Sequence, residues 1–445
     1  VNAAGGTQSR RPRAVTHRRV LGVALPIVLS NATVPILGLV DTGVVGQMGA
    51  AAPIGAVGIG AVILTGIYWV FGFLRMGTTG LTAQAFGSGD EPEAAALLMR
   101  GLMIGGAAGA AMIALQLPLF AGAFALSPAS PQVEELARQY MAIRVWSAPA
   151  AIALYAITGW LIAAERTRAV LVVQLWMNGL NIVLDLVFVL GMGWGVAGVA
   201  AATFLAEWSG LAVGLWFCRA VFTGPHWRDA ARIFDRPRLR RMLAVNSDIL
   251  VRTLLLETVF VSFLFFAARL GDVPLAANQV LLQFLHVTAF ALDGFAFAAE
   301  TMVGQAMGHR RPDLLRRAAV LSSLWGGGMA LLLAATFALL GAELIAVMTT
   351  SAPVRDAAGS YLGWMVAAPI AGLAAWMLDG IFIGATRTRD MRNMMLVSTL
   401  VYGVALMLLM PVFGNHGLWM ALLISFAARG ISLGIRYGAL EASAR

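Results

Sequence analysis

Asn178, Asn181 and Asp185 stand at i, i+3 and i+7 inside an apolar stretch, so a helix there places all three on one face. Thr203 lies in the next apolar stretch, with Glu207 one turn on, and Asp41 lies in the first, after Pro26 and Pro35. An ionisable group in mid-span costs about 2.5 kcal/mol or more, so each needs a reason to be there. Buried carboxylates flanked by amide and hydroxyl oxygens can take up a proton or coordinate Na⁺. The other reading is that the acid and asparagines only join helices by hydrogen bonds.

A second group lies further on. Gln279, Gln283, His286, Asp293 and Glu300 follow one another at steps of four, three, seven and seven. A straight helix drifts by about 20° per heptad, so they form one polar stripe, which is expected to line a cleft rather than face lipid. Glu257 and Asp379 add carboxylates from two other apolar stretches. The lining is then acidic and favours cationic ligands. Asp248 and Arg252, at i and i+4, are expected to pair with each other. Glu300 and Asp248 have a plainer reading as groups solvated near the membrane surface, and His286 as a structural hydrogen bonder.

The elements that must carry these residues are membrane helices. Of 445 residues 60% are hydrophobic and 12% charged, against about 25% charged in an ordinary soluble domain. Apolar stretches fall at 20–45, 53–78, 94–120, 135–163, 169–191, 196–221, 240–267, 274–305, 314–341, 355–384, 393–413 and 417–437. Most are near or above the roughly 20 residues that cross a bilayer. The first is too long for a secretory h-region and is read as a retained helix. The net charge is +9 and every basic residue is Arg. Arginines crowd alternate connections, from Arg10 to Arg19, at Arg166 and Arg168, from Arg228 to Arg241, and at Arg310, Arg311, Arg387 and Arg389; the opposite connections hold little beyond Arg138, Arg269 and Arg355. By the positive-inside rule both termini are cytoplasmic, and this bias explains the charge better than nucleic-acid binding does. A single cysteine, Cys218, excludes an internal disulfide.

Two halves repeat at an offset of 221 residues. Gln84 and Gly87 fall on Gln305 and Gly308, Pro53 on Pro274, Gly159 on Gly380, and the Arg166–Arg168 triplet on Arg387–Arg389. Six spans per half give both halves the same orientation, a parallel repeat. The expected architecture is all-α: a basic cytoplasmic tail over 1–17, an N-lobe over 18–222, a cytoplasmic linker over 223–239 and a C-lobe over 240–445. The linker is polar and basic, with a short amphipathic helix suited to anionic headgroups. Without lysine there is no Walker A motif, no Schiff-base chemistry and no own use of ATP. No HExxH, cysteine cluster or Gly-x-Ser-x-Gly is present either, which argues against an enzyme.

The VDTGVVGQMG run at Val40–Gly49, GTTGLTAQAFGSGD at Gly77–Asp90, GQAMG at Gly304–Gly308 and the twelve-span repeat together resemble the MATE multidrug and toxic compound extruders, over essentially all the chain after residue 17. The resemblance implies two six-helix bundles and a secondary antiporter that exports organic, mostly cationic compounds in exchange for H⁺ or Na⁺. Asp41, Asn181, Asp185 and Thr203 are similar to the family's N-lobe cation site, with Na⁺ as one candidate occupant, and Pro26 is similar to its helix-bending proline. Asp41 with Asp185 resembles the DinF-like branch, while Glu257 and Asp379 resemble the NorM-like branch. The substrate side would involve Glu257, Gln279, Gln283, His286, Asp293 and Asp379. No cofactor, nucleic acid or ATPase subunit is implied; membrane lipids and small organic cations are the expected partners, and a monomer in a bacterial inner membrane is the expected state. The chief rival is a lipid-linked oligosaccharide flippase, whose pyrophosphate needs a basic cavity. An intramembrane enzyme is a weaker one.

Overall fold

The computed structural model describes residues 13–47, 51–126 and 130–444, without the side chains of Ile36, Leu39, Asp41, Thr42, Ala51 and Leu126. Among the described residues there is no strand. In the first half run α1 (His17–Gly46), α2 (Ala51–Val70), α3 (Phe73–Ser88), α4 (Glu91–Ala114), α5 (Gln116–Leu126), α6 (Pro131–Arg144), α7 (Ala148–Ala163), α8 (Thr167–Asp185) and α9 (Gly195–Phe217). Two one-turn helices follow, α10 (Arg219–Phe222) and α11 (Ala230–Ile233). The second half holds α12 (Arg236–Ala268), α13 (Asp272–Gly308), α14 (Pro312–Met348), α15 (Ala352–Gly384), α16 (Thr388–Phe413) and α17 (Asn415–Ala442).

Among the described residues, eleven stretches are long and apolar enough to cross a membrane, with α2 and α3 joined in one and α6 and α7 in another. The 30-residue α1 is a further long helix, about 45 Å at 1.5 Å per residue. The protein is thus an all-α integral membrane protein with the expected twelve-helix plan. Many large apolar side chains point outward, such as Leu339 at 78% and Val347 at 86% exposure, as lipid-facing residues do. The second span is longer than its hydropathy suggests. It ends at Ser88 rather than near 78, because Thr78, Thr79 and Thr82 are buried and the Thr79 hydroxyl bonds back to the Arg75 carbonyl at 2.9 Å.

The repeat is visible in the backbone. A Cβ on Gly159 would strike the carbonyl of Arg75, and one on Gly380 would strike that of Ala296, each partner again 221 residues apart. Left-handed residues recur at the same spacing: Gly89 and Arg310, Glu165 and Thr386, Gly193 and Gly414. Such residues end helices with φ above zero, where glycine is favoured and other residues are strained.

The described chain groups into two compact units. One holds the residues up to Val28, Ala83–Asp90 and Arg241 onward; the other holds Leu29–Thr82 and Glu91–Arg240. The unit boundaries therefore differ from the lobe boundaries expected at 222 and 240. The end of α3 groups with the second half because Gly87 packs against the Gln305 backbone. The opening of α1 does so through Arg19, which donates to Gln305 Oε1 at 2.6 Å. Within this unit an apolar core surrounds Phe263, Leu281 and Trp419. A polar insert in it is closed: Asn278 and Asn415 exchange amide hydrogen bonds, and the Trp419 indole donates to Asn278 at 2.9 Å.

The segment 223–239 is tethered. Arg100, buried in α4, donates to the carbonyls of Arg232 and Ile233 at 2.6 and 2.8 Å, covering the C-terminal end of α11. Arg100 also pairs with Glu93 at 2.7 Å, and Arg238 pairs with Glu93 as well. Asp235 then caps α12, accepting from the Arg238 amide at 2.9 Å, with Pro237 in the first turn. Arg228, Arg236 and Arg240 remain exposed.

Candidate functional site

The polar face predicted on α8 is buried. Asp185 is wholly shielded, Asn181 is 1% exposed and Asn178 6%. The Asn181 amide donates to Asp185 Oδ2 at 2.5 Å. Asn178 donates to the Thr33 hydroxyl at 2.8 Å and accepts from Gln174 at 3.0 Å. Thr33 in turn donates to the Ser30 carbonyl at 2.7 Å. A chain of three hydrogen bonds thus ties α8 to α1, while Asn181 serves the carboxylate. Thr33 and Gln174 escaped the sequence reading. Gln174 was findable, since it stands one turn before Asn178.

Asp185 ends the α-helical part of its span. Leu186–Gly191 form a π-helical turn, closed by the Met192 amide on the Val187 carbonyl at 2.8 Å. Phe188 stacks on Trp194 with ring centroids 4.8 Å apart, and Gly198 admits the Phe188 backbone. π-turns inside membrane helices change the register of the residues beyond them and are frequent at functional sites. Nothing in the spacing of residues 178–191 announces it.

Thr203 sits half-buried on α9, which packs against α8. Its hydroxyl donates to the Val199 carbonyl at 3.0 Å, which leaves the oxygen free to accept or to ligate. Pro26 is buried in α1, and the helix runs through both Pro26 and Pro35. Asp41 lies on α1, but its side chain is outside the described residues. Among the described residues no group of three or more His, Cys, Asp or Glu side chains could hold a metal ion. A Na⁺ site here would have to rest on the oxygens of Asn181, Asp185 and Thr203 together with Asp41.

Glu207 is committed elsewhere. It accepts from Arg144 at 2.7 Å, and Arg144 also donates to Ser147 at 2.9 Å. The Tyr68 hydroxyl donates to the Arg144 carbonyl at 3.1 Å. Arg144, 5% exposed, belongs to the fourth span and is a buried charge that the spacing of polar residues does not announce.

The second half departs further from expectation. On α13 Gln279, Gln283 and His286 are exposed, Asp293 is half-buried and Glu300 is buried, so the stripe runs from open surface into the protein. Glu257 is half-buried on α12. Asp379 is not a bare carboxylate: it is ion-paired with Arg252, and Arg429 stands 3.8 Å away. Nor does Arg252 pair with Asp248. Asp248 takes Arg392 at 2.6 Å and the Thr388 hydroxyl at 3.1 Å instead. The reason is geometric, since α12 is buried against neighbours that offer partners closer than its own next turn. Asp379 therefore adds little negative potential to any cavity.

The α8 site has no counterpart in the repeat. Asn178, Asn181 and Asp185 correspond to Thr399, Tyr402 and Leu406 on α16. There the Thr399 hydroxyl donates to the Met395 carbonyl at 2.9 Å and the Ser262 hydroxyl to that of Tyr402 at 3.4 Å.

The MatE family profile matches this chain twice, over residues 26–187 and 249–409. The chain belongs to the MatE family. MatE proteins are transporters, not enzymes, and the double match reproduces the internal repeat. DNA damage-inducible protein F of Escherichia coli K12 is 39% identical over 416 residues, covering 92% of this chain and 90% of that protein. The probable multidrug resistance protein NorM of Xanthomonas campestris is 26% identical over 96% of this chain and 95% of that protein. The MATE transporter VcmN of Vibrio cholerae, in its bent form, superposes with a TM-score of 0.85 at 19% identity, over 96% of this chain and 97% of that one. The likeness in structure is one of fold. Both the DinF-like and the NorM-like features noted in the sequence fit these relatives.

Proposed function

We propose that this MatE protein is a secondary active multidrug antiporter of the bacterial inner membrane, with both termini cytoplasmic. It exports organic, mostly cationic compounds in exchange for H⁺ or Na⁺, by alternating access between the halves 18–222 and 240–445. The observation that carries the reading is the wholly buried Asp185, held by Asn181 at the entrance to a π-turn. A carboxylate so placed is costly unless it has a task. Coupling-ion binding at Asp41, Asn181, Asp185 and Thr203 supplies one. The names of the NorM and MdtK relatives, as multidrug resistance proteins, support the choice of cargo.

Ion binding neutralises the carboxylates and alters the Asn181–Asp185 hydrogen bond on α8. The segment of α1 around Pro26 then bends, since a proline leaves a backbone carbonyl without its usual donor. The ion must favour one conformation over the other, or no coupling follows. Cargo is taken to meet Glu257, Asp293 and the amide and imidazole groups of Gln279, Gln283 and His286, while Asp379 balances arginines instead. The protein is proposed to act as a monomer, with lipid contact through the exposed arginines of residues 223–240.

Uptake of ethidium from the medium by everted vesicles, energised in turn by a pH gradient and by a sodium gradient, tests this. Wild-type protein should move the dye under at least one gradient, and Asp185→Asn under neither. Wild-type rates in Asp185→Asn would remove the ion site from this position; no movement by the wild type under both gradients would remove the antiporter.

A further inference from the structure

Arg429 is 3% exposed, yet its guanidinium is poorly satisfied. An arginine offers five N–H donors. The acceptors near this one are the Met395 sulfur at 3.8 Å and Asp379 Oδ2 at 3.8 Å, and its Nε has no partner. The Phe426 ring lies 5.9 Å from its central carbon, at the outer limit of a cation–π contact. Asp379 is engaged by Arg252 through Oδ2, while its Oδ1 and the Arg252 Nε are without a partner. Asp248, the other acid on this stretch of α12, is held by Arg392 and Thr388.

Charge decides what belongs beside Arg429. Arg252 and Arg429 carry two positive charges and Asp379 one negative, all within a bundle of α12, α15, α16 and α17. A buried, uncompensated charge is strongly destabilising. Water would satisfy donors but leave the charge. A cation is repelled. One small monovalent anion would satisfy both donors and charge, and arginine N–H groups are the donors best suited to it.

We infer that Arg429, assisted by Arg252, binds a small monovalent anion, chloride being the simplest, inside the second half of the protein. The site makes the second half an anion-stabilised bundle, where the first half has a carboxylate for a cation.

Equilibrium dialysis of the purified full-length protein in detergent against radiolabelled chloride should reveal a single saturable site. Arg429→Gln should weaken it about tenfold or more, the loss of one charge-assisted hydrogen bond at about 1.4 kcal/mol per decade. Arg138→Gln, a surface change elsewhere, should leave binding unaltered. Wild-type crystals grown in bromide should show an anomalous peak beside the Arg429 guanidinium, which keeps the test valid should Arg429→Gln not fold. Absence of saturable chloride binding, undiminished binding in folded Arg429→Gln, or bromide only at other positions overturns the inference.

Discussion

Gly87 and Gly308 pack reciprocally: a Cβ on the first would strike the Gln305 carbonyl, and a Cβ on the second would strike that of Gln84. Both obstacles are backbone, which cannot rotate away. Arg19 holds Gln305 at 2.6 Å and Arg241 holds Gln84 at 2.7 Å, so the side chains follow the same reciprocity. Gly308→Ala is expected to destabilise by about 1–3 kcal/mol, the usual cost of overpacking. Gly87→Ala should cost the same. Thermal unfolding in detergent checks both, and Gly106→Ala, at a glycine with open space around it, serves as the control.

The left-handed Arg310 stands where the first half has Gly89. Arg310→Gly should relieve about 1 kcal/mol of strain, the cost of that conformation for a residue with a Cβ. Part of the gain is offset by the greater freedom of glycine in the unfolded chain. A rise in unfolding midpoint for Arg310→Gly, with a fall for Gly89→Arg, is the expected pair of results.

Asp379→Asn leaves Arg252 and Arg429 without their shared carboxylate. Removing one partner of a buried ion pair costs about 3–5 kcal/mol. The variant should therefore unfold much earlier than wild type. Asp313→Asn, whose ion pair with Arg311 is exposed, should differ little.

Asn181→Ala separates the two coupling ions. If Na⁺ is the ion, an amide oxygen ligand is lost and the Na⁺ concentration for half-maximal export should rise about tenfold, roughly 1.4 kcal/mol. If H⁺ is the ion, no such rise is expected, because a proton needs no second oxygen. Dye export measured against stepped Na⁺ and stepped pH gives the answer.

Much of the fold was legible because lipid imposes a simple rule on sequence: apolar length makes spans, and arginine sorts the connections. The repeat was legible because Gly159 and Gly380, or Gln84 and Gln305, occupy positions where backbone contact admits few alternatives. The polar face of α8 followed from spacing alone. The pairings did not. Arg252 chose Asp379 over Asp248, and Glu207 chose Arg144, because burial against other helices supplies partners that lie far away in the chain. The π-turn after Asp185 escaped for a related reason, since Leu186–Gly191 reads as ordinary apolar helix.

Cys218 lies just beyond α9, wholly shielded, and burial pushes its thiol up to about 12, against a weaker opposing pull from Arg166. Only the thiolate reacts with maleimides. Native protein should resist labelling from neutral pH until the pH approaches that value, whereas the unfolded chain should label readily above about pH 8.5. The sign for stability follows. The folded state favours the neutral thiol, so this contribution is complete below the unfolded value and is lost as pH rises through the folded one. Rapid labelling of folded protein at neutral pH would contradict the burial.

The paired left-handed joints have an evolutionary consequence. Gly89 and Arg310, or Glu165 and Thr386, bend the chain at matched places although the residues there no longer match. A duplicated gene that kept its joints while replacing the amino acids at them must have been held by its contacts rather than by its letters. The two halves could then drift apart chemically, one gathering a carboxylate and the other a pair of arginines, without either losing the ancestral frame.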